Sequence, residues 1–141
     1  MRIVRYVLFA LVTLVTSNCK NTIDESNNRA ISELGIYTYK NENLKIIAYE
    51  DKHALKYIML DSTYNVLLRD NFKISLFHNW GLYLDENKNL WVLSSDIGHS
   101  CWIYNDSTNT YTNQVLYGKI DEYSLPKGLL NAFGRLIRIG N

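Results

Sequence analysis

From Leu34 onward, short apolar runs alternate with clusters of Asn, Asp, Lys and Ser. This texture constrains the fold more than any other feature of the chain. Apolar runs of roughly four to eight residues between turn formers are strand-sized and too short for helices. The runs predict strands near 36–40, 44–50, 55–61, 66–69, 73–77, 81–85, 90–95, 101–105, 110–112 and 115–120. The clearest hairpin is Leu82–Leu93, with the turn Asp85–Asn89 between two apolar arms. Eleven Tyr, three Trp and four Phe add to the β tendency. With only seven Gly and one Pro, the turns must use Asn and Asp, which tolerate left-handed backbone and bond their own main chain.

Several runs are apolar on both faces. In Leu90-Trp91-Val92-Leu93, Leu90 and Val92 point one way and Trp91 and Leu93 the other. Leu55–Leu60 behaves alike. Such strands are covered on both sides, which calls for two packed sheets or a sheet backed by a helix. A helix is expected after Ser124-Leu125-Pro126, where Leu129, Leu130, Phe133, Leu136 and Ile137 form one stripe. Gly128 and Gly134 weaken it, each by about 1 kcal/mol relative to Ala. The expected fold is a mainly β, single small domain of about eight to ten antiparallel strands with a C-terminal helix.

Self-comparison suggests two units. Asn41-Glu42-Asn43-Leu44-Lys45-Ile46 resembles Asn87-Lys88-Asn89-Leu90-Trp91-Val92 at an offset of 46, and Asp61-Ser62-Thr63 resembles Asp106-Ser107-Thr108 at 45. A period near 45 is the size of a four-stranded propeller blade. The stretch from Leu82 to Leu116 also resembles single blades of sensor-type propellers. Two blades cannot close a propeller, so packed sheets stay open beside blade-like units.

The N-terminus has its own character. Arg2 and Arg5 precede Tyr6–Val15, ten uncharged and mostly apolar residues. A bilayer span needs roughly 20, so the run fits a secretory signal. Thr16-Ser17-Asn18-Cys19 follows and resembles the lipobox of bacterial lipoproteins, with Thr16 and Asn18 departing from the usual pattern. The resemblance implies cleavage before Cys19 and a diacylglycerol on its sulfur. The alternative is an ordinary signal cut after Ser17. The expected domains are a signal peptide over 1–18, a flexible tether over 19–33 and a β-rich domain over 34–141. Loss of Arg2 and Arg5 takes Lys plus Arg from 15 to 13 against 14 acids, a formal charge of −1. A near-neutral domain lacks the footprint of a nucleic-acid binder. Cys101 has an intrachain partner only if Cys19 is not acylated.

No catalytic signature stands out. His99 and Cys101 share a strand face, and Asp96 and His78 could join them as a small hydrolase or metal-dependent enzyme. Against this, zinc needs three or four ligands and no CxxC or HxxxH is present. Ser94, Asp96 and His99 lack a G-x-S-x-G elbow, and no Gly-rich phosphate loop occurs. Glu50-Asp51 and Asp85-Glu86 are acid pairs of the kind seen at surface turns. No metal and no cofactor is expected. The aromatics offer a different site. Trp80, Trp91 and Trp102 are spaced by eleven and could form a binding platform with Tyr83, Tyr104 and Tyr111, or belong to the core. The expected function is non-enzymatic: an envelope protein held to a membrane by an N-terminal lipid, the outer membrane if the cell is Gram-negative, or else secreted or periplasmic. It would bind a protein or glycan, an immunity-type protein being one case.

Overall fold

A computed structural model describes residues 22–24, 29–70, 72–116 and 122–139. The signal-like segment, Cys19 and the end of the strand expected over 115–120 lie outside them. Eleven strands occur among the described residues. They are β1 (Thr22–Asp24), β2 (Ala30–Ile31), β3 (Gly35–Tyr39), β4 (Leu44–Asp51), β5 (Ala54–Asp61), β6 (Val66–Arg69), β7 (Ile74–Ser75), β8 (Trp80–Leu84), β9 (Leu90–Ser94), β10 (Gly98–Asn105) and β11 (Thr110–Leu116). A 3-10 turn (Glu122–Ser124) leads into helix α1 (Lys127–Ile139).

The strands form two sheets. Sheet A runs β1-β3-β4-β5-β6, with β7 also paired to β5, and sheet B runs β11-β10-β9-β8-β2. All pairings are antiparallel except β1 with β3. Each sheet therefore contains a four-stranded meander, β3 to β6 and β8 to β11, of the kind that short loops impose on consecutive strands.

Strand alternation decides the layers. In sheet A, Tyr37, Ile46, Met59 and Leu68 share a register row and are buried. They meet Leu82, Leu84, Leu90 and Val92 from sheet B in the main core. The opposite face of sheet B carries Tyr83 and Leu93, which pack with Leu125, Leu129, Leu136 and Ile137 from the helix region. Sheet B is thus the middle layer, roofed by sheet A on one side and by α1 on the other. That is why its strands are apolar on both faces. Trp102 ties the sheets together, its indole N–H donating to the Tyr57 hydroxyl at 3.0 Å.

The helix seats closely on the sheet. Gly81 on β8 faces the ring of Phe133, and Gly128 on α1 faces the ring of Tyr83. A Cβ at either position would fall within 3 Å of that ring. Two glycines that weaken their own elements thereby let helix and sheet approach.

Of the tether expected over 19–33, the described residues include two short strands. Thr22–Asp24 pairs with β3, and Ala30–Ile31 pairs with β8. Ile31 is fully buried in the main core. Arg29 reaches the carbonyls of Leu84 and Asp85 at 3.2 and 2.9 Å and pairs with Glu42 at 2.5 Å. The described parts of the segment lie at sheet edges, and Arg29 acts as a clamp.

Candidate functional site

The aromatic residues separate. Tyr83 lies under α1 at 8% exposure, and Trp91 packs on the same cluster, its indole N–H donating to Asp85 Oδ2 at 3.0 Å. Trp80 and Trp102 face sheet A and pack on the main core. The register explains the split. Trp91 pairs with Tyr83, three residues from Trp80, and with Cys101, the neighbour of Trp102. Each odd step reverses the face. The three Trp therefore share no surface. Tyr104 lies closer to solvent at the end of β10. Its ring sits 5.1 Å from that of Tyr111, and Lys88 Nζ lies 5.1 Å from its centroid.

The polar constellation is also divided. His99 is buried beneath α1. Its Nδ1 accepts the Ser94 backbone N–H at 3.4 Å, and its Nε2 lies 3.3 Å from the Ile137 carbonyl, where a protonated Nε2 donates. The ring is a strap between sheet B and the end of the helix. Burial holds its pKa below the usual imidazole range, so it is a neutral structural group near pH 7. Cys101 is a free, buried thiol, pushed well above the usual thiol range by burial and then by the Asp85 charge. A thiol that keeps its proton is a poor nucleophile and a poor metal ligand.

Asp96 and His78 sit instead at exposed turns. The Asp96 carboxylate accepts the Ser94 hydroxyl and the Ser75 N–H, the latter at 3.1 Å. Burial acts to raise its pKa but is outweighed by these hydrogen bonds, which leave it below the ordinary carboxylate value. Ser94, Asp96 and His99 are thus linked through turn and strap bonds, with no hydroxyl-to-imidazole contact of the kind that activates a serine. Among the described residues, no group of three or more His, Cys, Asp or Glu could hold a metal ion.

The outer face of sheet A is roofed by no element among the described residues. Register places Ile36, Ile47, Ile58 and Arg69 in one row across β3 to β6. The next row holds Thr38, Lys45, Leu60 and Val66, and Tyr49 pairs with Lys56 on the other flank. Ile36, Tyr49 and Val66 are each exposed by 40% or more, and Tyr64 by 69%. A solvated sheet face normally alternates to polar residues, so this apolar row is the exception. Cations frame it. Lys45 Nζ sits 4.5 Å from the Tyr64 ring centroid, Lys56 pairs with Asp70 at 2.7 Å, and Arg69 is exposed.

At the turn end of this face lies a groove of about 260 Å³ lined in part by Thr38, Lys40, Asn43, Lys45, Ser62 and Tyr64. The loop beside it is closed on Asp61 by hydrogen bonds. Asp61 accepts the N–H groups of Thr63 and Asn65 at 2.8 and 2.9 Å and the Asn65 side-chain amide at 2.9 Å. The Asn65 and Thr63 bonds hold the Asp61 pKa down. Asp85 makes the same set with Asn87 and Asn89. Tyr64 and Lys88 take the equivalent left-handed position, at φ 65° and 64°. The shared signal is Asp-x-x-x-Asn, with a left-handed residue before the Asn. The turns it builds join β5 to β6 and β8 to β9. Sequence reasoning missed the sheet A face because its alternation, apolar in both directions, reads as burial on both sides.

No protein-family model matches the chain, no curated protein matches it, and no solved structure matches the fold.

Proposed function

We propose that the protein is a non-enzymatic binding module, lipid-anchored in the bacterial envelope through Cys19, and that it binds through the outer face of sheet A. The observation that carries the binding role is the asymmetry of the three layers. Sheet B is covered on both sides, whereas the outer row of sheet A has Ile36 exposed and Ile47 and Ile58 half-buried, with exposed Tyr49, Tyr64 and Val66 around it. Contiguous exposed apolar surface of this kind marks interaction sites. The anchor rests on the position of Cys19 directly after the run Tyr6–Val15. The enzyme alternative gains no support from the arrangement, because His99 and Cys101 are buried while His78 and Asp96 stand at surface turns.

A flat apolar face suits a protein or lipid surface better than a free sugar, whose hydroxyls need convergent polar partners. The test is photo-crosslinking in living bacteria, with a photoreactive residue placed at Ile36 or, as the control, at Asn131 on the exposed side of α1. Adducts from position 36 that are absent from position 131 are the expected result. No adducts from position 36, or equal adducts from both, would remove the face from the account.

A further inference from the structure

We infer that the occupant of the sheet A face is the surface of an anionic lipid bilayer, so that the anchored domain lies with this face against its own membrane. The inference rests on the lipid-anchor reading and names the partner of the same face. Three observations lead to it. The first is where the chain leaves the described residues. β1 is the edge strand of sheet A, and Thr22 is the register partner of Ile36, the first residue of the apolar row. Cys19 lies three residues before Thr22. Three residues reach about 10 Å at full extension. An acyl chain on Cys19 would therefore enter the membrane beside Ile36, and no long linker exists to hold sheet A away from the headgroups.

The second observation is the composition of the face. Exposed Ile36 and Val66 flank the row, Tyr49 and Tyr64 stand at its sides, and Lys45 and Arg69 are on the same face. Aliphatic side chains ringed by Tyr and by Lys or Arg are the chemistry of surfaces that lie in the membrane interface. The third is charge. Lys45, Lys56 and Arg69 are on this face, Lys56 being offset by Asp70 at 2.7 Å and by Asp51. Lys45 and Arg69 are the cations that would meet anionic headgroups, beside a groove lined by Lys40, Lys45 and the acid Asp61. Docking in this way leaves α1 and β11 facing the aqueous compartment.

The experiment uses the full-length chain, expressed in a bacterium, purified from the membrane fraction and reconstituted into vesicles of phosphatidylcholine and phosphatidylglycerol containing brominated acyl chains. Ile36→Cys, Val66→Cys and the control Asn131→Cys are each labelled with an environment-sensitive dye, Cys101 being buried. Two face positions keep the test usable if one variant folds poorly. Quenching at positions 36 and 66 with none at 131 is expected. Lys45→Glu with Arg69→Glu should weaken it, since each basic residue near an anionic surface is worth about fivefold in affinity. Wild-type protein that floats with the vesicles while positions 36 and 66 stay unquenched would overturn the inference and leave the anchor standing. A protein adduct at position 36 in cells, with no quenching in vesicles, would likewise overturn it in favour of a protein partner. Wild-type protein that does not float with the vesicles removes the anchor reading and this inference together.

Discussion

Gly128→Ala sets two physical effects against each other. Gly128 is in the first turn of α1. Helix propensity alone says that Ala should stabilise this position by about 0.8–1 kcal/mol. The packing says otherwise. A Cβ on Gly128 would lie 2.0 Å from the Tyr83 hydroxyl oxygen and 2.9 Å from the ring carbon that bears it. Tyr83 cannot withdraw easily, because it sits on a central strand at 8% exposure among Leu93, Leu125 and Leu129. Forcing extra volume into such a site typically costs about 1–3 kcal/mol. The second effect is the larger, so the variant should be less stable by up to about 2 kcal/mol net, a large share of a total near 5–15 kcal/mol. Urea unfolding followed by Trp fluorescence measures the difference. Tyr83→Phe removes the closest contact and should recover part of the loss in the double variant. Gly128→Ala with an unchanged or raised midpoint would refute the seating of α1 on β8.

Four further outcomes follow from the same packing. Trp91→Ala removes an indole from the helix-side cluster and its bond to Asp85, and should cost about 3 kcal/mol in urea unfolding; an unmoved midpoint would return Trp91 to the surface. Deleting residues 21–32 removes β1, the Arg29 clamp and fully buried Ile31, and should lower stability by more than about 3 kcal/mol, where a loose tether would lose almost nothing. Because burial depresses the His99 pKa in the folded state, its neutral form stabilises the fold above the unfolded value near 6.5, and that contribution is lost as pH falls from there through the folded value; His99→Gln should flatten this part of the pH–stability curve, and an identical slope in both proteins would sink the point. Ser100 Oγ and Tyr111 Oη are buried with no hydrogen-bond partner, so Ser100→Ala and Tyr111→Phe should leave the melting temperature unchanged or raise it, and a clear drop in either would reveal a bond the packing does not provide.

Much of the fold is legible in the sequence for physical reasons. Strands apolar in both directions, such as Leu90–Leu93, need cover on two sides, and α1 with sheet A supplies it. The stripe Leu129, Leu136 and Ile137 is the buried side of the helix. What does not show in the sequence depends on register or on long-range pairing. β1 and β2 are two or three residues long and owe their existence to β3 and β8, so no local periodicity announces them. The even spacing of the three Trp suggests one patch, yet hairpin register sends Trp91 to the helix side and its companions to the other. The similar turns are partly turn chemistry: Asp61–Asn65 and Asp85–Asn89 are built alike though they join different strand pairs of the two meanders. The outer face of sheet A is hidden because Ile47 and Ile58 read like core residues. The placement of α1 on the other sheet leaves them only half-buried.

The intact mass of the protein recovered from the bacterial membrane fraction tests the central claim most directly. A chain beginning at Cys19 and carrying the added mass of a diacylglycerol is the predicted product. A soluble chain that begins at Asn18 or Cys19 with no added lipid mass, or one that keeps its first 18 residues, would contradict it.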